Sequence, residues 1–182
     1  MREIDTRFTV AFAQEQLLRR TTCPIAWEAN ALALNRAYEN LKLVVLSDVK
    51  AMLDGIDVEE ISITATVLML GGFVIENLLK GLIAKSKSIP IVNGKPKFKH
   101  HKLVDLARDA EIPLSTNEEV LLQRLTEFVM WGGRYPAPQD TKSLRGYTLE
   151  NGGYGMLTSM SVPQDFADTS TMIARLLVEL KS

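Results

Sequence analysis

Residues 71 to 87 read GGFVIENLLKGLIAKSK, and this stretch decides the fold because its apolar side chains recur at helical spacing. The pattern predicts one long helix from about Glu59 to about Lys85. At 100° per residue, its apolar side chains cover about half of the helix circumference. They are Val67, Leu68, Leu70, Val74, Ile75, Leu78, Leu79, Leu82 and Ile83. Gly71 and Gly72 each cost about 1 kcal/mol relative to alanine, which predicts a close helix crossing or a kink there.

Two charged residues stand at the edge of the apolar face. Glu76 and Lys80 are four residues apart, in the order that favours an ion pair on a helix. One interpretation is an exposed contact worth about 0.3–0.5 kcal/mol. The other is a buried polar clasp that engages His101 or Arg134.

The sequence of the N-terminal third predicts a second long helix that is preceded by a short extension. Residues 1–20 form the extension, in which FTVAFAQEQLLRR is an amphipathic helix that packs on the body or on a second copy. Thr21 and Thr22 offer capping hydroxyls just before Pro24, which favours a helix start there. This helix ends near Gly55. Its inward stripe is Trp27, Leu34, Tyr38, Leu41, Val45 and Leu53.

The second half of the chain predicts two more helices in succession. A short helix lies in HKLVDLARDA, residues 101–110. The next begins with a capping box from Ser115 to Glu118. It ends at Gly132 and Gly133, since glycine is the residue that most often follows a helix.

Two loops and a last helix complete the pattern. Residues 88–101 contain two prolines and an Asn-Gly turn signal, which predicts a loop that can hold a small hairpin. A long loop from 134 to 160 precedes a helix over 163–181, where Ser161 and Gln164 form a second capping-box pattern. No segment alternates over the length of a strand. We therefore predict an all-α, up-and-down bundle of four to five helices with a long C-terminal loop before the last helix.

The composition is that of a soluble, single-domain protein. The chain has 182 residues, of which 46% are hydrophobic and 24% charged. No run reaches the roughly 18 unbroken apolar residues of a membrane span, and the N-terminus lacks a secretory signal, so we expect a cytoplasmic protein without membrane contact. Cys23 is the only cysteine and the two histidines, His100 and His101, are adjacent. We expect no disulfide, no metal and no cofactor.

Charge is concentrated in one segment. The segment from Lys80 to Lys102 contains seven lysines and no acidic residue. Such a segment can hold an RNA backbone while an aromatic ring stacks on a base. Phe98 lies between Lys97 and Lys99 and would supply that ring, and Lys95 adds charge nearby. The alternative is a set of solvated lysines that bind no ligand.

Three motifs follow one another along these helices. An E-x-x-L-K pattern on the long helix comprises Glu76, Leu79 and Lys80. A turn comprises His100, His101, Lys102 and Leu103, and a helix end comprises Arg134, Tyr135 and Pro136. This order resembles the HEPN domains of bacteria and archaea, in which the turn is of the G-H-D-L kind and the helix end is R-Y-P. The resemblance covers residues 24–138, and the last helix, 163–181, is consistent with it.

The chain length predicts one helical domain over residues 1–182, and the resemblance implies a bundle of four or five helices that is frequently dimeric. The family is tied to RNA cleavage, toxin–antitoxin pairs, phage defence and nucleotide-related partners. The implied partners are a second copy of the chain, a protein encoded nearby, and RNA. Catalytic members use an arginine followed four to six residues later by a histidine. Neither His100 nor His101 follows such an arginine, so that ribonuclease motif is absent.

Arg134 has two interpretations. It anchors a helix end, with its guanidinium on a nearby carbonyl or carboxylate and the Tyr135 ring packed under the long loop, or it contacts a phosphate or nucleotide. RNA cleavage without a metal would also need a proton acceptor. Only His100 or His101 could supply it, across the fold or from a second copy.

We therefore expect a non-catalytic or atypical HEPN-like interaction module in a defence or toxin-related setting. It would bind a protein partner, and RNA or a nucleotide. The alternatives are a metal-independent endoribonuclease that uses Arg134 with His100 or His101, and a purely structural dimerising bundle. The candidate ligand contacts are Lys95, Lys97, Phe98, Lys99, His101, Arg134 and Tyr135.

Overall fold

A computed structural model describes most of the chain as an all-helical bundle, which confirms the predicted fold class. The described residues are 10–57, 63–87, 89, 91–92, 95–96, 101–135, 137, 141, 146–148 and 154–182. The helices are α1 (Val10–Thr21), α2 (Pro24–Leu53), α3 (Thr64–Ser86), α4 (Leu103–Asp109), α5 (Thr116–Glu127) and α6 (Gln164–Lys181). A π-helical turn, Phe128–Gly132, continues α5.

Helix α1 is the predicted N-terminal extension, and its described part begins at Val10. Every residue from Phe12 to Arg20 except Gln16 is exposed. The helix is tied to α2 at its end, where the Trp27 indole N–H donates to the carbonyl of Thr21 at 2.9 Å. Helix α1 therefore lies on the outside of the bundle.

Helix α2 starts as predicted at Pro24, but the expected threonine cap is wrong. The Thr21 hydroxyl donates to the Leu17 carbonyl at 2.7 Å and the Thr22 hydroxyl to the Leu18 carbonyl at 2.9 Å. The residue that precedes Pro24 is Cys23, whose side chain makes no capping hydrogen bond. Because α1 runs up to Thr21, the carbonyls four residues back are within reach of both hydroxyls.

The end of α2 near Gly55 is confirmed. Gly55 has φ of +77°, the left-handed conformation that glycine adopts without a steric cost. The N–H groups of Gly55 and Ile56 bond back to Met52 and Ala51 at 3.1 and 2.9 Å, which is a Schellman motif. Leu53, which was expected on the inward stripe, is 83% exposed because it lies in the last turn, beyond the packed part of the helix.

Helix α3 begins at Thr64, later than the predicted start at about Glu59. Residues 58–62 lie outside the described part, and Ile63 precedes the first helical residue. Isoleucine and threonine lose χ1 freedom in a helix, so the sequence ISIT over 61–64 is a poor place for a helix to begin. The apolar pattern predicts the helix but not its first turn.

Helix α3 is the central helix of the bundle. It is long and apolar enough to cross a membrane by length and composition, but 72% of its most apolar window is buried inside the protein. Its buried side chains contact the other bundle helices, α2 and α4 to α6. The burial is that of a core helix in a globular protein.

Gly71 and Gly72 lie at the predicted close crossing. A Cβ on Gly71 would be 2.7 Å from Thr169 Cγ2 in α6 and 3.1 Å from the Tyr38 ring in α2. A Cβ on Gly72 would be 2.5 Å from Val129 Cγ2, beyond the end of α5. Neighbours therefore approach α3 closely from both sides at this level, which only glycine permits.

Helix α5 follows its prediction. The Ser115 hydroxyl accepts from the Glu118 N–H at 3.3 Å, and the Glu118 carboxylate accepts from the Ser115 N–H at 2.8 Å, so the capping box is present. The helical segment ends at Gly132 and Gly133. Thr126 of α5 also accepts the N–H of Leu103 at 3.1 Å, which fixes the first turn of α4 against α5.

The start of α6 differs from its prediction. The helix begins at Gln164, but no side chain caps it through the expected Ser161–Gln164 box. The buried Asp165 instead accepts the Ser161 N–H at 2.6 Å. A carboxylate already held in place by another ion pair is the better acceptor at this position.

Two short hairpins lie between the helices in the described part of the chain. The expected hairpin before α4 is present as β1 (Ile91–Val92) paired with β2 (Lys95–Pro96). A second one, β3 (Gly146–Thr148) with β4 (Tyr154–Met156), lies in the segment expected to be a loop. Each strand has only two or three residues, which is too short for an alternating pattern to be recognised.

Candidate functional site

Glu76 and Lys80 form a buried ion pair on α3. The Lys80 Nζ lies 2.5 Å from Glu76 Oε1, and the two side chains are only 11% exposed for Lys80 and 7% for Glu76. The buried clasp is thus the geometry found, rather than an exposed helix pair. Lys80 Nζ also lies 5.8 Å from the centre of the Trp27 ring of α2, within the range of a cation–π contact.

His101 joins this pair to the surface. Its Nδ1 lies 3.0 Å from both carboxylate oxygens of Glu76, while its side chain is 55% exposed. We call Glu76, Lys80 and His101 the open cluster, since a buried ion pair continues through the imidazole to solvent. Arg134, the other residue considered for the clasp, does not belong to it.

The local fold explains why His101 reaches Glu76. Helix α4 starts at Leu103, whose side chain is fully buried and whose N–H is held by Thr126. His101 is two residues before that fixed turn. Glu76 lies at the edge of the apolar face of α3, where α3 contacts α4. Because the start of α4 is fixed close to this face of α3, the His101 imidazole reaches the Glu76 carboxylate.

The chemistry of the open cluster follows from this geometry. When Nδ1 carries a proton it donates to Glu76, and this fixes both the tautomer and the orientation of the ring. Nε2 makes no hydrogen bond within the described part of the chain. It is therefore available to accept a proton, or to donate one to a phosphate or carbonyl oxygen when the ring is charged.

Arg134 is placed as a helix-end anchor. Its guanidinium Nη2 donates to the carbonyls of Val129 and Met130, at 3.0 and 2.6 Å. These are carbonyls that the end of the helix leaves without an intrahelical partner. The Arg134 guanidinium also lies 5.5 Å from the centre of the Tyr135 ring. Tyr135 is 51% exposed, and because most of the long loop lies outside the described residues, packing of its ring under that loop stays a prediction.

Arg134 and His101 contact different parts of the molecule. Gly133, next to Arg134, lies against Met69 of α3. His101 contacts Glu76, seven residues farther along α3, which is about 10 Å of helix rise. Because the Arg134 guanidinium bonds back to its own helix end, it is not brought together with His101 in the described part of the chain, and His100, the other candidate partner, lies outside that part.

Most of the lysine-rich segment cannot be placed in this site. Lys95 is described only as part of the backbone of β2, and Lys102, the last lysine of the segment, is exposed next to His101. The roles of the other candidate contacts stay predictions. The candidates that lie outside the described residues are Lys97, Phe98, Lys99 and His100.

A second buried ion pair was not predicted from the sequence. Arg124 of α5 donates through Nη1 and Nη2 to the two carboxylate oxygens of Asp165 of α6, at 2.5 and 2.8 Å. Arg124 also donates to the carbonyl of Ser159, and Asp165 accepts the N–H of Ser161. Both charged residues are buried, with 9% and 3% exposure. We call Arg124 and Asp165 the closed pair.

A signal for the closed pair is present in the sequence but weak. Arg124 stands within the apolar face of α5, next to the fully buried Leu122 and Leu125. A charge in such a position needs a partner, since a buried charged group is paired in a stable fold. The sequence cannot say which acidic residue supplies it, because Asp165 is 41 residues away.

A buried tyrosine holds α2 against α6. The Tyr38 hydroxyl donates to the Phe166 carbonyl at 3.2 Å, and the two rings meet edge to face at 6.3 Å. Burial raises the pKa of Tyr38 to about 12, so the phenol is neutral at physiological pH. Tyr38 therefore serves the packing of the bundle and marks the inner face of α2.

No group of three or more histidine, cysteine, aspartate or glutamate side chains is suited to hold a metal ion within the described ranges. Comparison with known proteins finds no family model, no curated protein and no solved structure that matches the chain. The open cluster and the sequence motifs are therefore the features that bear on function.

Proposed function

We propose that this chain is a HEPN-like helical bundle that acts as an interaction module, and that the surface around His101 binds RNA or a nucleotide. The module acts in the cytoplasm, in a bacterial or archaeal defence or toxin–antitoxin setting. It is not a nuclease that is complete within one chain.

The open cluster carries the binding part of this proposal. His101 is oriented by a buried carboxylate, is more than half exposed, and has Nε2 available within the described structure. It follows a segment rich in lysine, and Lys102 beside it is exposed. An oriented imidazole at the end of a basic segment is suited to bind a phosphate. The lysine charges attract the phosphate, and the fixed imidazole can donate a hydrogen bond to it in one direction.

The position of Arg134 supports the non-catalytic part. Cleavage of RNA without a metal needs a cation at the phosphate as well as a proton acceptor. Arg134 binds the carbonyls of Val129 and Met130 at the end of its own helix, and Val129 packs on Gly72 of α3, about 6 Å of helix rise before Glu76. The setting in defence or toxin–antitoxin pairs rests on the order of the motifs alone.

One observation favours the alternative, a metal-independent endoribonuclease. A carboxylate that holds a histidine through Nδ1 is the arrangement that orients a general base in many enzymes, and Glu76 holds His101 in this way. The enzyme would need its cation from the lysine-rich segment or from Arg134 of a second copy. Incubation with RNA separates the two functions, because only the enzyme yields fragments, and only its fragments disappear with His101→Ala.

A binding titration tests the proposed function. A fluorescently labelled single-stranded RNA of mixed sequence is titrated at several salt concentrations, and ATP is titrated in parallel as the nucleotide probe. We expect the affinity to fall as salt rises, and to fall at least about tenfold when Lys95, Lys97 and Lys99 are changed to glutamate.

The matched control for this titration reverses charges outside the lysine-rich segment. Arg19, Arg20 and Lys181 are exposed, and changing them to glutamate alters the net charge by the same amount. We expect the control variant to keep most of the affinity. If the affinity for both RNA and ATP is unchanged by salt and by the three lysine changes, the proposal is refuted.

A further inference from the structure

Helix α2 has an outer face that is apolar and that no described element covers. Ile25, Leu32 and Leu43 are 74%, 43% and 64% exposed. At 100° per residue they point in almost the same direction. This direction is turned away from the buried Tyr38, which packs against α6. A surface helix usually exposes polar side chains on this side, so the apolar face needs an explanation.

Small residues let another helix approach this face. Ala29 lies within the line of large apolar side chains, and Ala26 and Ala33 lie beside it, all three exposed. Alanine allows two helix backbones to come close, which favours packing against a helix over contact with an irregular surface. We call the exposed side of α2 from Ile25 to Lys50 the α2 face.

One cation and one carboxylate stand near the middle of this face. Arg36 is exposed and makes no ion pair within the described part of the structure. The Glu39 side chain is 41% exposed, and its carboxylate lies 2.5 Å from the Nζ of Lys42 and accepts from the Ser170 hydroxyl at 3.3 Å. Because an arginine among apolar side chains gains most from an opposite charge, the two residues indicate a partner that meets both of them.

The arrangement of the α2 face is self-complementary. A second α2 can run antiparallel to the first about a two-fold axis at the level midway between Arg36 and Glu39. Arg36 of each copy is then opposite Glu39 of the other, and Leu32 is opposite Leu43. The same patch thus supplies both halves of each contact, as a symmetric interface between identical chains requires.

The contacts farther from the axis agree with this register. Ala29 falls opposite Leu46, which is half-buried on the same helix. Ile25 falls opposite Lys50, whose apolar stem can cover the isoleucine while its ammonium group stays in water. The charges are therefore paired at the centre, and the flanking contacts are apolar.

We propose that two copies of this chain associate through their α2 faces, antiparallel and in this register. RNA is a poorer fit to the face, because Arg36 and Lys50 are the only charged residues among its exposed positions from 25 to 50, and a nucleic-acid surface carries several cations. The proposal does not depend on RNA binding, since His101 contacts α3 and not α2. The face runs about 35 Å along the helix, which suits a continuous helix–helix contact.

Charge reversal in mixed samples tests the pairing. Sedimentation of the full chain is expected to show a dimer. Arg36→Glu and Glu39→Arg, each alone, place like charges opposite each other and should raise the dissociation constant at least about tenfold. An equimolar mixture of the two variants should form a heterodimer, because both central pairs are again of opposite charge. Glu179→Arg reverses an exposed charge on α6 and should leave the dimer unchanged.

Cross-linking tests the register without changing any charge. In a Cys23→Ser background, a chain with Leu32→Cys is mixed with a chain with Leu43→Cys and oxidised. The mixture should form a disulfide-linked dimer. Each variant alone should not, because its two new cysteines lie too far apart across the interface for a disulfide. This experiment remains decisive if Glu39→Arg, which also removes the contact with Lys42, fails to fold.

Three results would overturn the inference. The wild-type chain could be a monomer at high concentration, the oppositely reversed variants could fail to associate when both keep their helices by circular dichroism, or the mixed cysteine variants could fail to cross-link. RNA titration of the Arg36→Glu variant keeps the two proposals apart, because loss of the dimer should leave the affinity of each chain for RNA within about twofold of wild type.

Discussion

The open cluster and the closed pair are both buried ion pairs, but their surroundings differ. In the closed pair, Arg124 binds Asp165 through two hydrogen bonds, and the backbone of Ser159 and Ser161 supplies further contacts. In the open cluster, the pair Glu76–Lys80 continues to His101, whose ring is 55% exposed.

The difference indicates a structural role for the closed pair and is consistent with the proposed binding role of the open cluster. The closed pair joins α5, the segment before α6 and the first turn of α6, so its hydrogen bonds hold three pieces of chain together. The open cluster leaves one oriented nitrogen at the surface. Under the proposed function, the buried carboxylate orients this nitrogen for contact with a ligand.

The largest expected effect comes from breaking the closed pair. Asp165→Ala leaves the buried Arg124 without its carboxylate and also removes the acceptor for the Ser161 N–H. We expect it to lower the free energy of unfolding by about 3–5 kcal/mol, measured by urea denaturation. The matched control is Asp168→Ala, an exposed aspartate on the same helix, which should change stability by no more than about 0.5 kcal/mol. Similar values for the two variants would show that the closed pair does not hold the fold.

The ion pair between Glu118 and Arg175 is partly exposed, so it should contribute less to stability than the closed pair does. Partial burial raises the pKa of Glu118, but hydrogen bonds from Ser115 and the neighbouring Arg175 outweigh it and hold the pKa below its usual value. The group therefore adds stability above its unfolded pKa near 4.5, and this stability is lost as the pH falls through the lower folded value.

The test for this carboxylate is the pH dependence of one substitution. We expect Glu118→Gln to cost about 1 kcal/mol at neutral pH and close to nothing in strong acid, where the carboxylate is protonated. Thermal unfolding of the wild type and the variant from pH 7 to pH 3 measures the difference. A difference that stays constant over this range would contradict the assignment.

Much of the fold was predictable because its signals are local. The apolar arc of α3, the capping box of Ser115 and Glu118, and the glycine that ends α2 each lie within one helix or one turn. The predicted start of α3 was less accurate, because the apolar pattern continues on the N-terminal side of residues 61–64, which disfavour a helix start. Hairpin β3–β4 was not predicted because three residues carry no periodicity.

The site was predictable only in part. Spacing alone brought Glu76 and Lys80 together, since residues four apart share a helix face. Their burial, and the choice of His101 over Arg134 as the third member, depend on where α4 and the end of α5 meet α3. For the closed pair, the sequence indicates that Arg124 needs a partner but does not identify Asp165, which is 41 positions away.

The measurement that tests the central claim most directly compares His101→Ala with Arg134→Ala in RNA binding and in stability. We expect His101→Ala to lower the affinity for labelled single-stranded RNA at least about tenfold, while the free energy of unfolding changes by less than about 0.5 kcal/mol. Arg134→Ala should do the reverse, with RNA affinity within about twofold of wild type and a loss of about 1 kcal/mol in stability, because it removes hydrogen bonds at a helix end. RNA affinity that is unchanged by His101→Ala but lost with Arg134→Ala would contradict the assignment of binding to the open cluster.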